Sequence, residues 1–249
     1  WTMDDIESVG LLKIDFLGIR YLTMVSSIVE EIRKENPTFD ITKINYQDPK
    51  VYELFAKGKT EGIFQFESSG MKEKLNLLKP TEFNDIVAMN ALYRPGPMAQ
   101  IEVYVRRKNK EEQVIYPHPH LEKILKDTYG VIVYQEQIML IAVNFAHMSL
   151  NEADNMRRAV SKKKKEDLEY YGRIFVEKSV AAGYDIKVAE SLFELIVTFA
   201  NYGFNKSHAV VYSMLAYRLA YLKVYYTKYF MTALLNNVIS SEKKINEYK

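Results

Sequence analysis

The chain has 249 residues, of which 48% are hydrophobic and 27% charged, and it contains no cysteine. This balance is typical of a globular protein with a sizeable core, and the lack of cysteine excludes disulfides and thiolate zinc sites. The formal net charge of +2 is too small to indicate a nucleic-acid partner, so any basic surface must be local. No apolar run approaches the roughly 18–20 residues that span a bilayer.

The first half of the chain is predicted to alternate short strands with helices. Residues 11–17 (LLKIDFL) alternate in hydrophobicity and predict a strand that places Lys13 and Asp15 on one face. A second strand is predicted over residues 62–67, and residues 130–135 are either a third strand or the lead-in to a helix. Helices are predicted over residues 21–35, 48–56, 71–78, 81–92 and 98–108.

The second half is predicted to be almost entirely helical. Ser149 and Glu152 have the spacing of a capping box, which starts a helix. Asp185 is the predicted N-cap of a later helix. Further helices are predicted over residues 137–146, 167–182, 209–236 and 240–248. About nine helices and three short strands predict one compact, mainly α body that is α+β overall.

Basic side chains are concentrated in residues 155–165 (NMRRAVSKKKK), which contain Arg157, Arg158 and Lys162 with no acid among them. Guanidinium groups bind phosphate oxygens bidentately, and lysines add mobile positive charge. The run therefore suggests a phosphate-binding helix. Most such runs are solvated helix ends, and that alternative stays open on this run alone.

Two turns are further candidates for anion binding. Ser68, Ser69 and Gly70 stand between a predicted strand and a predicted helix, where backbone N–H groups at a helix N-terminus bind anions; an ordinary N-cap is the more common alternative. Arg94 begins the rigid sequence Arg-Pro-Gly-Pro, which fixes the position of its guanidinium for phosphate or for packing.

The densest polar cluster is residues 202–208 (YGFNKSH). Phe204 would stack on a base or anchor the turn in the core, and Lys206 and His208 would meet phosphate. This combination favours function over a purely structural turn. His118 and His120 suggest a metal only weakly, because no carboxylate or helical pairing accompanies them.

Lys13 and Asp15 have the residue types of a metal-and-phosphate site, with the carboxylate on a hard cation and the lysine on phosphate oxygen. A surface ion pair on an edge strand is the alternative that the spacing alone favours. A single carboxylate cannot hold two metals, so partner ligands would lie outside this chain.

Six motifs, in this order, resemble the family C bacterial replicative DNA polymerases, the DNA polymerase III alpha subunits. The motifs are GLLKIDFLG (10–18), GIFQFESSGM (62–71), LYRPGPM (92–98), YGVIVYQEQ (129–137), MRRAVSKKK (156–164) and YGFNKSHA (202–209). KIDFLG followed by Ile19 and Arg20 is more similar to the DnaE-type branch. Six ordered motifs over nearly the whole chain are far more specific than any one of them.

The resemblance implies that residues 1–18 are the C-terminal remnant of a polymerase palm and that residues 19–249 are a helical fingers domain. Asp15 then matches the third catalytic aspartate, a metal ligand, and Lys13 matches a palm lysine beside the nucleotide. Arg157 and Arg158 match fingers arginines that approach the triphosphate.

The function implied by the resemblance is nucleotidyl transfer to a primer 3′ end by a two-metal mechanism with Mg²⁺. The partners are then the incoming dNTP, primer–template DNA and other replisome subunits, in the bacterial cytoplasm and with no membrane. Because a D-x-D aspartate pair is absent, the chain on its own is expected to be an inactive fragment. The alternative is a non-catalytic helical nucleic-acid-binding module.

Overall fold

The chain folds as a set of helices joined by short turns. The structure, a computed structural model, describes residues 2–12, 14, 18–162, 165–200 and 202–248. Its α-helices are α1 Met3–Ser8, α2 Arg20–Glu35, α3 Pro49–Ala56, α4 Ser69–Leu78, α5 Phe83–Leu92, α6 Ile101–Lys108, α7 Glu122–Leu125, α8 Gln135–Phe145, α9 Leu150–Lys162, α10 Lys165–Ala181, α11 Ile186–Ala200, α12 Lys206–Tyr225, α13 Thr227–Asn237 and α14 Glu242–Tyr248. None of the described helices is both long and apolar enough to cross a bilayer.

A first hydrophobic core surrounds α12, which packs against α2, α3, α5 and α13. Buried side chains cover more than half of the circumference of α12, from Ala209 to Leu222, and Val211 and Tyr225 lie on its exposed face. The hydroxyl of the buried Tyr217 accepts a hydrogen bond from the Asp48 amide at 3.0 Å and donates one to the Asn45 carbonyl at 2.9 Å. This side chain therefore fixes the start of α3 against α12.

A second core lies between α8, α9, α10 and α11. Phe145, Phe175, Met156 and Ile196 are fully buried in it. The segment 131–134 runs along the boundary, with Val131, Val133 and Tyr134 in the first core and Ile132 in the second. This segment therefore joins the two cores.

Local sequence signals for helix starts are confirmed. Asp48 caps α3 through a hydrogen bond from the Lys50 amide, and Pro49 occupies the first helical position. The Ser149 amide donates to the Glu152 carboxylate at 2.7 Å and the Glu152 amide donates to the Ser149 hydroxyl at 3.2 Å, which is the predicted capping box.

The predicted α+β character is wrong, because the residues that the structure describes contain no strand. Residues 62–67 form successive turns instead: Gln65 has a positive φ of 68°, and the buried Thr60 hydroxyl donates to the Phe66 carbonyl at 2.6 Å. Residues 130–135 are the lead-in to α8, the other predicted outcome. Their single β interaction is an isolated parallel bridge between Tyr134 and Phe204.

The strand predicted over residues 11–17, with its assignment to a palm remnant, is not found either. Leu11, Leu12 and Ile14 lie in no strand and are exposed. Lys13 and residues 15–17 lie outside the described part of the chain. In the described part of the chain the fold is helical, and no strand marks the end of a palm.

The single long helix predicted over residues 209–236 is two helices. The chain turns at Tyr226, whose φ of −132° and ψ of 43° are not helical, and α13 begins at Thr227. The break lets α13 pack on both α2 and α12.

Candidate functional site

The turn at residues 202–206 lies where the two cores meet. The Phe204 amide donates to the Val133 carbonyl and the Gln135 amide donates to the Phe204 carbonyl, both at 3.0 Å. Asn205 then caps α12, since its side-chain oxygen accepts from the His208 amide at 2.8 Å. Backbone hydrogen bonds thus fix this turn against the start of α8.

Arg94 connects the turn at residues 94–97 to this junction. Its Nε donates to the Ala91 carbonyl at 2.9 Å and its NH2 donates to the Tyr202 carbonyl at 2.8 Å, while the guanidinium carbon lies 4.2 Å from the centre of the Phe204 ring. Burial lowers the pKa of Arg94. A predicted phosphate ligand is therefore engaged in holding two turns together.

Arg157 is held by three hydrogen bonds on α9. Its Nε and NH2 donate to Asp154 Oδ1 at 2.9 and 2.7 Å, and its NH1 donates to the Gln135 side-chain oxygen at 3.1 Å. The side chain is only 18% exposed. Arg157 therefore joins α9 to the first turn of α8.

Arg158 is the more available of the two arginines. Its Nε pairs with Asp154 Oδ2 at 2.8 Å, and the side chain is 65% exposed. The hydrogen bond from Arg157 lowers the pKa of Asp154, so this shared carboxylate stays charged. The backbone of Lys162 ends α9, and residues 163–164 lie outside the described part of the chain.

Lys206 and His208 lie in the first turn of α12, close to the start of α8. The Lys206 amide donates to both oxygens of Glu136 at 3.0 Å, and the Asn205 side-chain amide donates to Glu136 at 3.1 Å. Lys206 Nζ is 5.3 Å from the centre of the Tyr134 ring. Both Lys206 and His208 are exposed.

A row of five rings extends from the junction across the first core. The ring centroids are separated by 5.2 Å for Phe204 and His208, 4.0 Å for His208 and Tyr212, 5.2 Å for Tyr212 and Phe64, and 5.3 Å for Phe64 and Tyr21. Of these rings, His208 is exposed and the others are partly exposed. Aromatic faces at such a surface can stack on planar ligands.

Ser68, Ser69 and Gly70 form the start of α4, as predicted. The Ser68 hydroxyl accepts from the Met71 amide at 3.3 Å, which is an ordinary N-cap. A methyl group at Gly70 would overlap the Tyr93 hydroxyl, so this turn packs directly beside the neighbour of Arg94. The two serines line a cavity of about 480 Å³, whose other lining residues are Glu61, Glu67, Lys72, Lys244, Glu247 and Tyr248. The three carboxylates there disfavour an anion.

The predicted metal and palm residues, Asp15 and Lys13, lie outside the described residues. Among the residues described, no three histidine or carboxylate side chains come together in a way that could hold a metal ion. His118 and His120 pack on aromatic rings instead: His120 Nδ1 is 2.7 Å from the Tyr184 hydroxyl, and the His118 ring lies 5.2 Å from that of Phe145.

Sequence reasoning missed Gln135, Glu136 and Asp154 as parts of this face. Gln135 and Glu136 belong to the YGVIVYQEQ motif, which by itself predicts no role for them. Asp154 precedes Arg157 and Arg158 by three and four residues, the spacing at which helical side chains meet, so that signal was available. Together these three acceptors hold the basic residues in place.

The chain belongs to the bacterial DNA polymerase III alpha subunit finger domain family, whose model matches residues 21–183. It is 54% identical over its whole length to the DNA polymerase III subunit alpha of Bacillus subtilis (strain 168), of which it spans 22%. It is 51% identical over 98% of its length to the same subunit of Staphylococcus aureus (strain COL), spanning 23% of that protein. The chain thus covers about a quarter or less of these relatives.

Proposed function

We propose that this chain is the fingers part of a bacterial DNA-directed DNA polymerase, which covers the incoming dNTP and the template. Membership of the finger domain family supports this, and the names of the relatives are those of a polymerase subunit. For the complete protein, the same proposal includes a location in the cytoplasm, binding of primer–template DNA and contacts with other replisome subunits.

The observation that carries the proposal is the state of Arg158. It is a guanidinium on a side chain that is 65% exposed, and its position is fixed by the ion pair of its Nε with Asp154. Fixed positive charge aimed at a phosphate is what nucleotidyl transfer requires. Lys206 and His208 are exposed in the first turn of α12, and the His208 ring stacks on that of Tyr212, an aromatic surface suited to a base or sugar.

Residue roles within the proposal differ. Arg158, with Lys162, Lys206 and His208, would meet the triphosphate or DNA backbone, whereas Arg157 and Arg94 would hold the face together. The proposal gives residues 68–70 no role in phosphate binding, because carboxylates line the cavity beside them. Mg²⁺ would be held in the complete polymerase by Asp15 and by carboxylates outside this chain.

The test uses the full-length polymerase with Arg158→Ala, in single-nucleotide incorporation on a primed template. We expect the KM for dNTP to rise about tenfold or more, because one charge-assisted phosphate contact is lost. Arg173→Ala is the matched control, since Arg173 is 66% exposed against 65% for Arg158 and also pairs with a carboxylate on its own helix.

An Arg158→Ala enzyme with the same KM as the Arg173→Ala control would contradict the proposal. A salt-dependent loss of DNA affinity in Arg158→Ala but not in Arg173→Ala, with dNTP use unaffected, would favour the non-catalytic nucleic-acid-binding module instead.

A further inference from the structure

The first turn of α8 touches both basic segments of the candidate face. Gln135 receives the hydrogen bond from Arg157 on α9, and the next residue, Glu136, receives the amide of Lys206 on α12. These two residues belong to one helical turn, so the separation between the two basic segments is set by a single rigid element.

Gln135 is tied down on the other side as well. Its backbone amide donates to the Phe204 carbonyl at 3.0 Å, and a methyl group at Gly203 would lie 3.2 Å from its Cγ. Its side chain is therefore confined between the turn at residues 202–204 and Arg157. Glycine at position 203 leaves room for that close approach.

The contact reaches Arg158 through two intermediates. Gln135 orients Arg157, Arg157 donates twice to Asp154 Oδ1, and the other oxygen of Asp154 holds Arg158 Nε at 2.8 Å. The two arginines share the Asp154 carboxylate, one oxygen each, so displacing Arg157 displaces the carboxylate that holds Arg158.

We infer that Gln135 is a positioning residue, which aims Arg158 by anchoring Arg157, while Glu136 anchors the Lys206 turn from the same helix. The inference rests on the proposed function, since it names what places the proposed phosphate-binding group. Neither residue contacts the nucleotide in this scheme.

The experiment compares Gln135→Ala with Gln135→Glu in the full-length polymerase. Alanine removes the acceptor, and we expect the KM for dNTP to rise about fivefold with kcat changed less than about twofold, because a hydrogen bond to a charged donor is lost. Glutamate keeps an oxygen for Arg157, so its KM should stay within about twofold of the wild type. Asn144→Ala is the control, because the Asn144 side chain is an amide on the same helix that donates, among the described residues, to the Leu140 carbonyl one turn earlier.

A double-variant cycle and hydrogen exchange distinguish the positioning role of Gln135 from the phosphate-binding role of Arg158. In an Arg158→Ala background, Gln135→Ala should raise KM no further, since its effect passes through Arg158. Amide exchange in peptides covering residues 150–158 and 202–208 should be about threefold faster in Gln135→Ala than in Asn144→Ala, with no nucleotide present.

Several outcomes would overturn the positioning role: an equal KM increase in the Arg158→Ala background, a Gln135→Glu enzyme as impaired as Gln135→Ala, or exchange unchanged from the Asn144→Ala control. An unchanged KM in Arg158→Ala alone would instead overturn the proposed function, and the exchange result would still decide whether Gln135 positions the two segments.

Discussion

Arg94 and Arg158 carry the same charge but are held by different groups. The hydrogen bonds of Arg94 go to the main-chain carbonyls of Ala91 and Tyr202, and its guanidinium covers the Phe204 ring. Arg158 pairs with a carboxylate on its own helix, and its side chain is mostly exposed. The first arrangement stabilises the fold, and the second leaves donors for a ligand.

We therefore expect Arg94→Ala to lower the free energy of unfolding by about 2–3 kcal/mol, because two main-chain carbonyls lose a charged donor and the ring contact is lost. Arg158→Ala should change it by less than about 0.5 kcal/mol, as for most exposed pairs. Urea denaturation of the 249-residue chain measures both.

Arg94→Lys is the informative companion. Lysine keeps the charge but cannot donate in two fixed directions while lying flat on a ring. A lysine variant as stable as the wild type would show that charge alone, and not the planar fork, accounts for the role of Arg94.

At the scale of elements, the turn at residues 94–97 and the turn at residues 202–206 fit together through a glycine. Gly96 has a φ of 99°, a region that favours glycine, and a methyl group there would overlap the Tyr202 ring. Two independent restrictions thus act on one position, one in the backbone and one in packing.

We expect Gly96→Ala to lower the free energy of unfolding by about 1–3 kcal/mol more than Gly183→Ala, because overlap adds to backbone strain. Gly183 is the matched control: its φ is 94°, and a methyl group there would meet nothing within 4 Å. Chemical denaturation of the two variants gives the difference, and equal losses would mean that Tyr202 moves aside without cost.

Elements set by local chemistry were predictable from the sequence, and those set by tertiary contacts were not. The caps at Asp48 and Ser149 need only neighbouring residues, and both were found. Residues 62–67 look like a strand because apolar residues recur, but the left-handed Gln65 breaks the extended backbone. The bend at Tyr226 has no glycine or proline to mark it.

The same distinction applies to the candidate site. The sequence predicts the same phosphate-binding role for Arg157 and Arg158. Residue type alone cannot show that Arg157 is held by Gln135, 22 positions away in sequence. Residues 68–70 were a candidate anion site with an ordinary N-cap as the alternative. The approach of Glu61 and Glu247, which disfavours an anion, depends on how distant segments fold and cannot be read from the sequence.

At the scale of the whole molecule, one ionic cluster links three distant parts of the chain. Glu61 accepts from Lys72 on α4 at 2.6 Å and pairs with Lys223 on α12 at 3.3 Å, and Lys223 also donates to the Lys59 and Glu61 carbonyls. Burial acts to raise the pKa of Glu61, but the hydrogen bond from Lys72 and the charge of Lys223 lower it to about 2.

A depressed folded-state pKa gives a definite pH dependence. The charged Glu61 stabilises the folded state above its unfolded pKa of about 4.3, and this contribution is lost as the pH falls from about 5 to 2. We expect Glu61→Gln to be less stable than the wild type near pH 7, with the difference shrinking through that window. Denaturation midpoints measured against pH test this, with Glu73→Gln on α4 as the control. A difference independent of pH would mean that shape, and not charge, accounts for the effect.

The row of rings from Phe204 to Tyr21 also makes this face visible to fluorescence. The chain contains one tryptophan, Trp1. A Tyr212→Trp substitution would place an indole between His208 and Phe64, in the middle of the row, where indole emission is sensitive to stacking and to water. The emission of this indole would then report on the junction of the two cores without an added label.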